Sequence, residues 1–150
     1  MKISLSGVSN SGKTTLWEDL KHNFPKYKFI PEQIRKLKSV NQYPPPQLQE
    51  ILLSLQVEAE GTYENIVADR CSLDVAAYYI LNENRVRYDL VDRLVDSCRK
   101  YDMISIYTVP YEFVGDGFRV KEDSKKLIRI FKMLVKRYNL ENCMFVEHRI

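Results

Sequence analysis

Cysteine and histidine are scarce in this sequence, and long apolar runs are absent from it. Its 150 residues include three cysteines and two histidines, and no two cysteines stand in a CxxC or Cys/His cluster. An odd number of scattered cysteines favours free thiols over a disulfide framework or a structural zinc site. No apolar stretch approaches the roughly 20 residues that cross a bilayer, and the N-terminal run at residues 3–8 is too short for a signal peptide. We therefore expect a cytoplasmic protein with no membrane partner and no metal site built on cysteine.

Neither sign of charge dominates the chain. The formal net charge is +3, which suits an anionic ligand such as a nucleotide. It is far below the strongly basic balance that by itself indicates a nucleic-acid-binding protein. The sequence contains no repeat, linker or low-complexity tract, and its length is that of one domain. We predict a single domain over residues 1–150.

Segments of strand and helix character alternate along the whole chain. Short apolar runs predict strands at residues 2–6, 27–30, 63–68, 103–107 and 144–146. Apolar residues at helical spacing predict helices at residues 13–23, 47–61, 72–82, 89–99 and 124–138, and Ser72 or Asp74 can cap the third of them. Short apolar strands separated by helices are typical of a parallel sheet covered on both faces. The predicted fold class is α/β: a three-layer α/β/α domain with a five-stranded, mostly parallel sheet.

The first predicted strand leads into a glycine-rich loop with the pattern Gly7-x-x-x-x-Gly12-Lys13-Thr14. Glycines let backbone N–H groups turn inward around phosphate oxygens, and the positive end of the following helix points to the same place. In such a P-loop, Lys13 bridges the β- and γ-phosphates and the Thr14 hydroxyl reaches Mg²⁺. We therefore predict ATP and Mg²⁺ as cofactors. The predicted nucleotide-binding residues are Gly7, Asn10, Ser11, Gly12, Lys13, Thr14 and Thr15.

Two other segments place charged residues at the carboxyl ends of predicted strands, where parallel sheets bind ligands. Asp69 and Arg70 follow the third strand; the carboxylate can hold Mg²⁺ directly or through water, and the guanidinium can neutralise an oxygen of the donor or acceptor. Glu32 follows the second strand and could take the proton from an acceptor hydroxyl. The predicted metal-binding residues are therefore Thr14 and Asp69.

Four segments follow the P-loop in a recognisable order. They are Pro31-Glu32-Gln-Ile-Arg35, Leu55-Gln56-x-x-Ala59-Glu60, Asp69-Arg70-x-x-x-Asp74-x-x-Ala77-Tyr78 and Asp116-Gly117-x-Arg119. Together they resemble the P-loop nucleoside and nucleotide kinase superfamily over roughly residues 1–147. The sequence is most similar to nicotinamide riboside kinase-like ATPase domains, and more widely to deoxynucleoside kinases and thymidylate kinases.

This resemblance implies a phosphotransferase and assigns roles to individual residues. Glu32 matches the acidic residue that contacts the acceptor and often serves as base, and Arg35 matches a nearby substrate-binding arginine. Gln56 matches a helix residue that faces the acceptor, and Arg70 belongs to the Asp-Arg pair after the third strand. Arg119 falls in a short lid segment, whose arginines clamp the transferred phosphoryl group. The implied catalytic residues are Lys13, Glu32, Arg70 and Arg119, and the implied substrate-binding residues are Glu32, Arg35, Gln56 and Arg70.

Three functions remain open at the level of sequence. The first is transfer of the γ-phosphoryl group of ATP to a nucleoside or nucleoside monophosphate. The second keeps this chemistry but takes its acceptor from DNA, at a polynucleotide end or at 5-hydroxymethyluridine. The third is a regulatory switch controlled by nucleotide binding. Members of the superfamily are often dimers, so a homodimer is a further option by analogy.

Overall fold

The computed structural model describes residues 1–33, 45–83, 85–110 and 123–148, without the side chains of residues 45–49. The strands are β1 (Lys2–Gly7), β2 (Lys28–Ile30), β3 (Ile66–Asp69), β4 (Met103–Tyr107) and β5 (Cys143–Val146). The helices are α1 (Lys13–Asn23), α2 (Pro45–Thr62), α3 (Ser72–Asn82), α4 (Tyr88–Cys98) and α5 (Ser124–Arg137). Among the described helices, none combines the length and the apolar character that crossing a bilayer requires.

The five strands form one parallel sheet in the order β2-β3-β1-β4-β5. β1 is central, with Leu5 opposite Asp69 of β3 and Gly7 opposite Tyr107 of β4. The chain after β1 therefore emerges between the carboxyl ends of its two neighbours. This confirms the predicted α/β fold with a five-stranded sheet, and every strand pair is parallel.

Both faces of the sheet are covered, because side chains alternate between them along each strand. On one face, Ile66 of β3 packs in the larger core with Leu94 of α4 and Phe131 of α5. On the other face, Val67 packs against Trp17 of α1. The indole N–H of Trp17 donates to the carbonyl oxygen of Val67 at 3.0 Å. This bond fixes α1, and with it the loop that precedes α1, relative to β3.

Two predicted boundaries differ from those of the structure by two residues or more, and the other differences are of one residue. The third strand was expected from Tyr63 but begins at Ile66, because α2 continues to Thr62 and the Tyr63 side chain is exposed. Because Tyr63 was counted as an apolar strand residue, the predicted strand began three residues too early. α2 begins at Pro45 rather than two residues later, since proline is well tolerated in the first turn of a helix.

A buried carboxylate joins α2 to α3 and α4. Glu60 is almost completely inaccessible to solvent. Its Oε2 accepts a hydrogen bond from the backbone N–H of Ser72 at 3.0 Å, and its Oε1 accepts one from the Ser97 hydroxyl at 2.7 Å. Because a buried carboxylate is stable only when hydrogen-bonded, these contacts fix the start of α3 directly after the Asp69-Arg70 pair.

Candidate active site

The loop between β1 and α1 is shaped to bind an anion. Asn10 and Gly12 have positive φ angles, 57° and 89°, and such left-handed residues turn successive backbone N–H groups toward one concave surface. Gly12 is the N-cap of α1 and has no side chain that could accept hydrogen bonds from the first turn. That turn also contains no acidic residue. The first turn of α1 thus has no side-chain cap at Gly12, and its N–H groups and positive dipole end form the kind of site that binds an anion.

Gly7 has a packing role as well as a conformational one. Its φ is 113°, and a Cβ atom at this position would lie 2.1 Å from the carbonyl oxygen of Tyr107, so no side chain fits. Its N–H donates to Oδ1 of Asp74 at 2.9 Å. The structure thus turns this predicted phosphate-binding N–H toward α3.

Lys13 lies within the loop. Its side chain is buried, and its ammonium group donates to the carbonyl oxygen of Val8 and, at 2.9 Å, to the hydroxyl of Ser11. The Ser11 hydroxyl in turn donates to the same carbonyl oxygen at 3.0 Å. The loop therefore holds this positive charge against its own backbone, close to the left-handed residues.

The two predicted metal ligands meet at the carboxyl edge of the sheet. The Thr14 hydroxyl, in the first turn of α1, donates to Oδ2 of Asp69 at 2.9 Å. Asp69 is the last residue of β3 and is buried. A hydroxyl and a carboxylate are the hard oxygen donors that Mg²⁺ prefers.

Arg70 is held on three sides. Its backbone has a positive φ of 71°, which is uncommon for a long side chain and is found mostly where function requires it. Its Nε lies 3.3 Å from Oε1 of Glu32, and its Nη2 donates to the Ser9 hydroxyl at 2.9 Å. Its guanidinium also lies 4.7 Å from the ring centroid of Tyr78. This is close enough for a cation–π interaction.

The surroundings of Arg70 maintain its positive charge. Burial alone would lower the pKa of the guanidinium, but its interactions with Tyr78 and with the carboxylates of Glu32 and Asp74 raise that pKa above the usual value. The hydroxyls of Tyr78 and Ser9 are 3.0 Å apart. Tyr78 thus contacts the guanidinium with its ring and the P-loop with its hydroxyl.

These groups line one cleft of about 240 Å³. Its lining consists of Ser9, Asn10, Ser11, Gly12, Lys13, Thr14, Thr15, Glu32, Asp69 and Arg70. The structure thus brings together the predicted metal ligands, the predicted base, Arg70, and the predicted nucleotide-binding residues apart from Gly7. Gln56 is outside this set; it is buried on α2, and its Nε2 has no hydrogen-bond partner among the described residues. Arg35 and Arg119 lie outside the described residues.

Ser9 and Tyr78 have contacts in the structure that sequence reasoning did not give them, and Asp74 has one beyond the predicted helix cap. Ser9 and Tyr78 contact Arg70, and Asp74 bonds both Gly7 and the backbone N–H of Cys71, each at 2.9 Å. The sequence could have indicated part of this arrangement. Asp74 and Tyr78 are four residues apart, so a helix places them on the same face.

The donor set fits a nucleoside triphosphate with Mg²⁺. The left-handed loop and the uncapped helix end supply N–H groups for phosphate oxygens, and Lys13 supplies a positive charge. Thr14 and Asp69 would supply two oxygens, a number that suits Mg²⁺ because this ion usually keeps several water molecules and phosphate oxygens in its coordination shell.

Solved structures of kinases and of NadR have the same fold. NadR in complex with NR has a TM-score of 0.74 at 15% sequence identity, over 98% of this chain and 43% of the NadR chain. Thymidylate kinase from Candida albicans has a TM-score of 0.70 at 14% identity, over 97% and 82% of the two chains. Deoxyadenosine kinase from M. mycoides, with its products bound, has a TM-score of 0.62 at 16% identity, over 98% and 90%. The chain thus spans less than half of NadR, and the likeness establishes a P-loop nucleoside and nucleotide kinase-like fold.

Comparison of sequences identifies the family. No curated protein sequence matches significantly. A family profile described as an AAA domain matches residues 2–149, which is nearly the whole chain. The resemblance inferred from the sequence motifs is therefore confirmed for the fold, and the chain belongs to this AAA domain family.

Proposed function

We propose that this protein is an ATP- and Mg²⁺-dependent kinase that transfers the γ-phosphoryl group to a hydroxyl of a nucleoside. The observation that carries the proposal is the pairing of Glu32 with Arg70 at 3.3 Å in the same cleft as Lys13. A carboxylate and a guanidinium thereby stand beside the phosphate loop, where an acceptor would meet the donor.

The donor half of the cleft binds and orients the triphosphate. When bound, ATP with Mg²⁺ supplies the reactive γ-phosphoryl group with its charge partly neutralised. The N–H groups of the loop would hold phosphate oxygens, and Lys13 would contact those oxygens in place of Val8 and Ser11. Thr14 and Asp69 would hold the metal. Arg70 stabilises the charge that the transferred group develops, and such preorganised charges account for much of phosphoryl-transfer catalysis.

The acceptor half favours a hydroxyl over a phosphate. A hydroxyl must lose a proton during transfer, and the Glu32 carboxylate can accept it. A monophosphate is already ionised, needs no base, and would bring its negative charge against the same carboxylate. Among the described cleft residues, the positive charges of Lys13 and Arg70 are matched by Glu32 and Asp69. Within this described part of the cleft, no surplus of positive charge is left for an anionic acceptor.

The solved structures supply analogies for both kinds of acceptor. NadR was solved in complex with NR, deoxyadenosine kinase was solved with the products dCMP and dCDP, and thymidylate kinase is named for a nucleoside monophosphate. Gln56 fits this proposal as a group that binds the acceptor base, because a buried amide with an unpaired N–H gains most from a polar ligand. Arg35 as a substrate ligand, Arg119 as the lid clamp, the homodimer and the cytoplasmic location stay predictions.

The direct test is transfer of radioactive label. Purified protein is incubated with Mg²⁺ and γ-labelled ATP against nucleosides, nucleoside monophosphates, a polynucleotide end and hydroxymethylated DNA. We expect a labelled nucleoside, and loss of the label in Lys13→Ala. Label on DNA alone would replace the nucleoside by a nucleic-acid acceptor. Label released only as inorganic phosphate, or tight ATP binding without transfer, would favour the regulatory switch.

A further inference from the structure

The outer face of α5 has an unusual charge composition. Six of its 14 residues are basic and none is acidic, and all six basic side chains are exposed. We define the α5 basic face by these residues: Lys125, Lys126, Arg129, Lys132, Lys136 and Arg137. The whole chain has a formal net charge of +3 and α5 alone contributes +6, so the remainder of the protein carries −3. The net positive charge of this protein is therefore concentrated on one helix.

This arrangement opposes helix stability in two ways. Lys125 and Lys126 occupy the first turn, where the helix dipole disfavours positive charge. Like charges also recur at three- and four-residue spacing, as in Arg129, Lys132 and Lys136, and such pairs repel one another. A solvated helix face usually intersperses both signs. Among the described residues, the salt bridges involve Arg70 and Arg87, so no described carboxylate pairs with this face. Arg137 and Lys132 lie over the rings of Tyr88 and Phe145 instead.

The apolar residues on one side of α5 account for how the helix packs. They do not account for the basic residues on its other side. Leu127, Ile130, Phe131 and Leu134 are buried in the larger core. Polar residues of either sign would serve equally well on the opposite side. When a sequence departs from local preferences such as charge balance on a helix, and the fold gains nothing from it, the departure commonly serves function.

The position of α5 connects this face to the cleft. β4 and β5 are parallel, so α5 must return from the carboxyl edge of the sheet to the amino edge. Its last turn lies at the amino edge, since Arg99 at the end of α4 donates to the carbonyl oxygen of Tyr138 at 2.7 Å. The first turn therefore lies on the edge that carries the P-loop. From Lys125 to Arg137, the basic face extends about 18 Å away from that edge at 1.5 Å per residue.

We propose that the α5 basic face binds the phosphate backbone of a nucleic acid strand. Four charges at positions 125, 129, 132 and 136 form a row along the helix, suited to a ligand with regularly repeated negative charges. A membrane surface is a poorer match, because α5 adds no large apolar side chain to those exposed in the described residues, and interfacial helices insert such side chains. The proposal is independent of the proposed function, since binding is measured without phosphoryl transfer.

The test compares two triple variants with equal changes of charge. Arg129→Gln, Lys132→Gln and Lys136→Gln together remove three charges from the α5 basic face. Lys21→Gln, Lys26→Gln and Lys28→Gln remove three exposed charges on the α1 side. Binding of a short fluorescent single-stranded oligonucleotide is followed by anisotropy over a range of salt concentrations, and thermal melting checks the fold of each variant.

We expect the native protein to bind more weakly as salt rises. The α5 variant should lose at least about tenfold in affinity at low salt, and its slope of log affinity against log salt should fall by about 2, at roughly 0.7 per lost phosphate contact. The α1-side variant should keep most of the affinity. Equal losses in the two variants, an unchanged α5 variant, or binding of the native protein to anionic vesicles but not to the oligonucleotide would each overturn the proposal.

Discussion

The Thr14 hydroxyl donates a 2.9 Å hydrogen bond to Oδ2 of Asp69. The two residues are 55 positions apart in sequence, and they meet because β1 and β3 are neighbours in the sheet with Leu5 opposite Asp69. Strand order alone thus places the first turn of α1 against the end of β3, and under the proposed function the pair would supply two of the six oxygen ligands of Mg²⁺.

Asp69→Asn should weaken the dependence of ATP binding on Mg²⁺. The amide removes the negative charge that attracts the metal while keeping the shape of the side chain. We expect the Mg²⁺ concentration for half-maximal binding of a fluorescent ATP analogue to rise by on the order of 10- to 100-fold, as for other altered metal-site groups. Asp19→Asn, on the exposed side of α1, is the control. An unchanged Mg²⁺ requirement in Asp69→Asn would remove Asp69 from the metal site.

Tyr78→Phe and Ser9→Ala should have non-additive effects on catalysis. The two hydroxyls are 3.0 Å apart, and the phenylalanine ring keeps its contact with the Arg70 guanidinium. Loss of one hydrogen bond lowers a rate by roughly 2- to 10-fold. We expect each single variant to show this decrease in kcat, with little change in the KM for ATP. Because both variants break the contact between Ser9 and Tyr78, while Ser9→Ala also removes an acceptor of Arg70, the double variant should be slower by less than the product of the two single losses. Multiplicative losses would show that the two hydroxyls act separately.

Asp74→Asn should destabilise the fold. Asp74 is buried, and its two carboxylate oxygens accept the N–H groups of Gly7 and Cys71. An amide can accept only one of these and turns its own N–H₂ toward the other donor. We expect the free energy of unfolding in urea to fall by about 1–3 kcal/mol. Asp96→Asn on the exposed side of α4 should change it by less than about 0.5 kcal/mol. Similar values for the two variants would contradict the structural role of Asp74.

Stability should decrease in alkaline solution through Cys98. Burial raises the pKa of this thiol above its ordinary value, so the folded state holds the proton more tightly than the unfolded chain does. The resulting stabilisation is complete below an unfolded pKa of about 8.5 and is lost as the pH rises toward the folded pKa, by about 1.4 kcal/mol per pH unit. Urea unfolding at neutral pH and at about pH 10 measures this loss. Between these two pH values, Cys98→Ala should lose less free energy of unfolding than the native protein. An equal loss in the two proteins would exclude Cys98 as the source of the effect.

The periodicity of the sequence predicts the architecture well. The helix after the P-loop matches its predicted range at both ends, from Lys13 to Asn23, because glycine and proline mark its limits. Placement of Glu32 and Asp69 at one sheet edge also follows from sequence, since carboxyl ends of parallel strands share an edge. Tyr63 was misassigned because apolar character cannot distinguish an exposed helix end from a strand.

The contacts around Arg70 could not be read from the sequence. Arg70 and Ser9 are 61 positions apart, and side-chain contacts at such a distance depend on rotamers and register. The positive φ of Arg70 is equally invisible, because left-handed backbone is expected of glycine and asparagine rather than arginine. Gly7 shows the same limit: its motif predicted phosphate binding, whereas its N–H bonds Asp74.

The central claim is that Glu32 and Arg70 serve a hydroxyl acceptor, and a competition assay tests it most directly. A nucleoside and its own monophosphate are mixed at equal concentration with γ-labelled ATP, and the products are separated for the native protein and for Glu32→Gln. We predict that label enters the nucleoside, and that Glu32→Gln lowers this transfer by about 100-fold or more, the usual contribution of a general base, while ATP binding is unchanged. Label entering the monophosphate instead, or transfer to the nucleoside that does not depend on Glu32, would contradict the account.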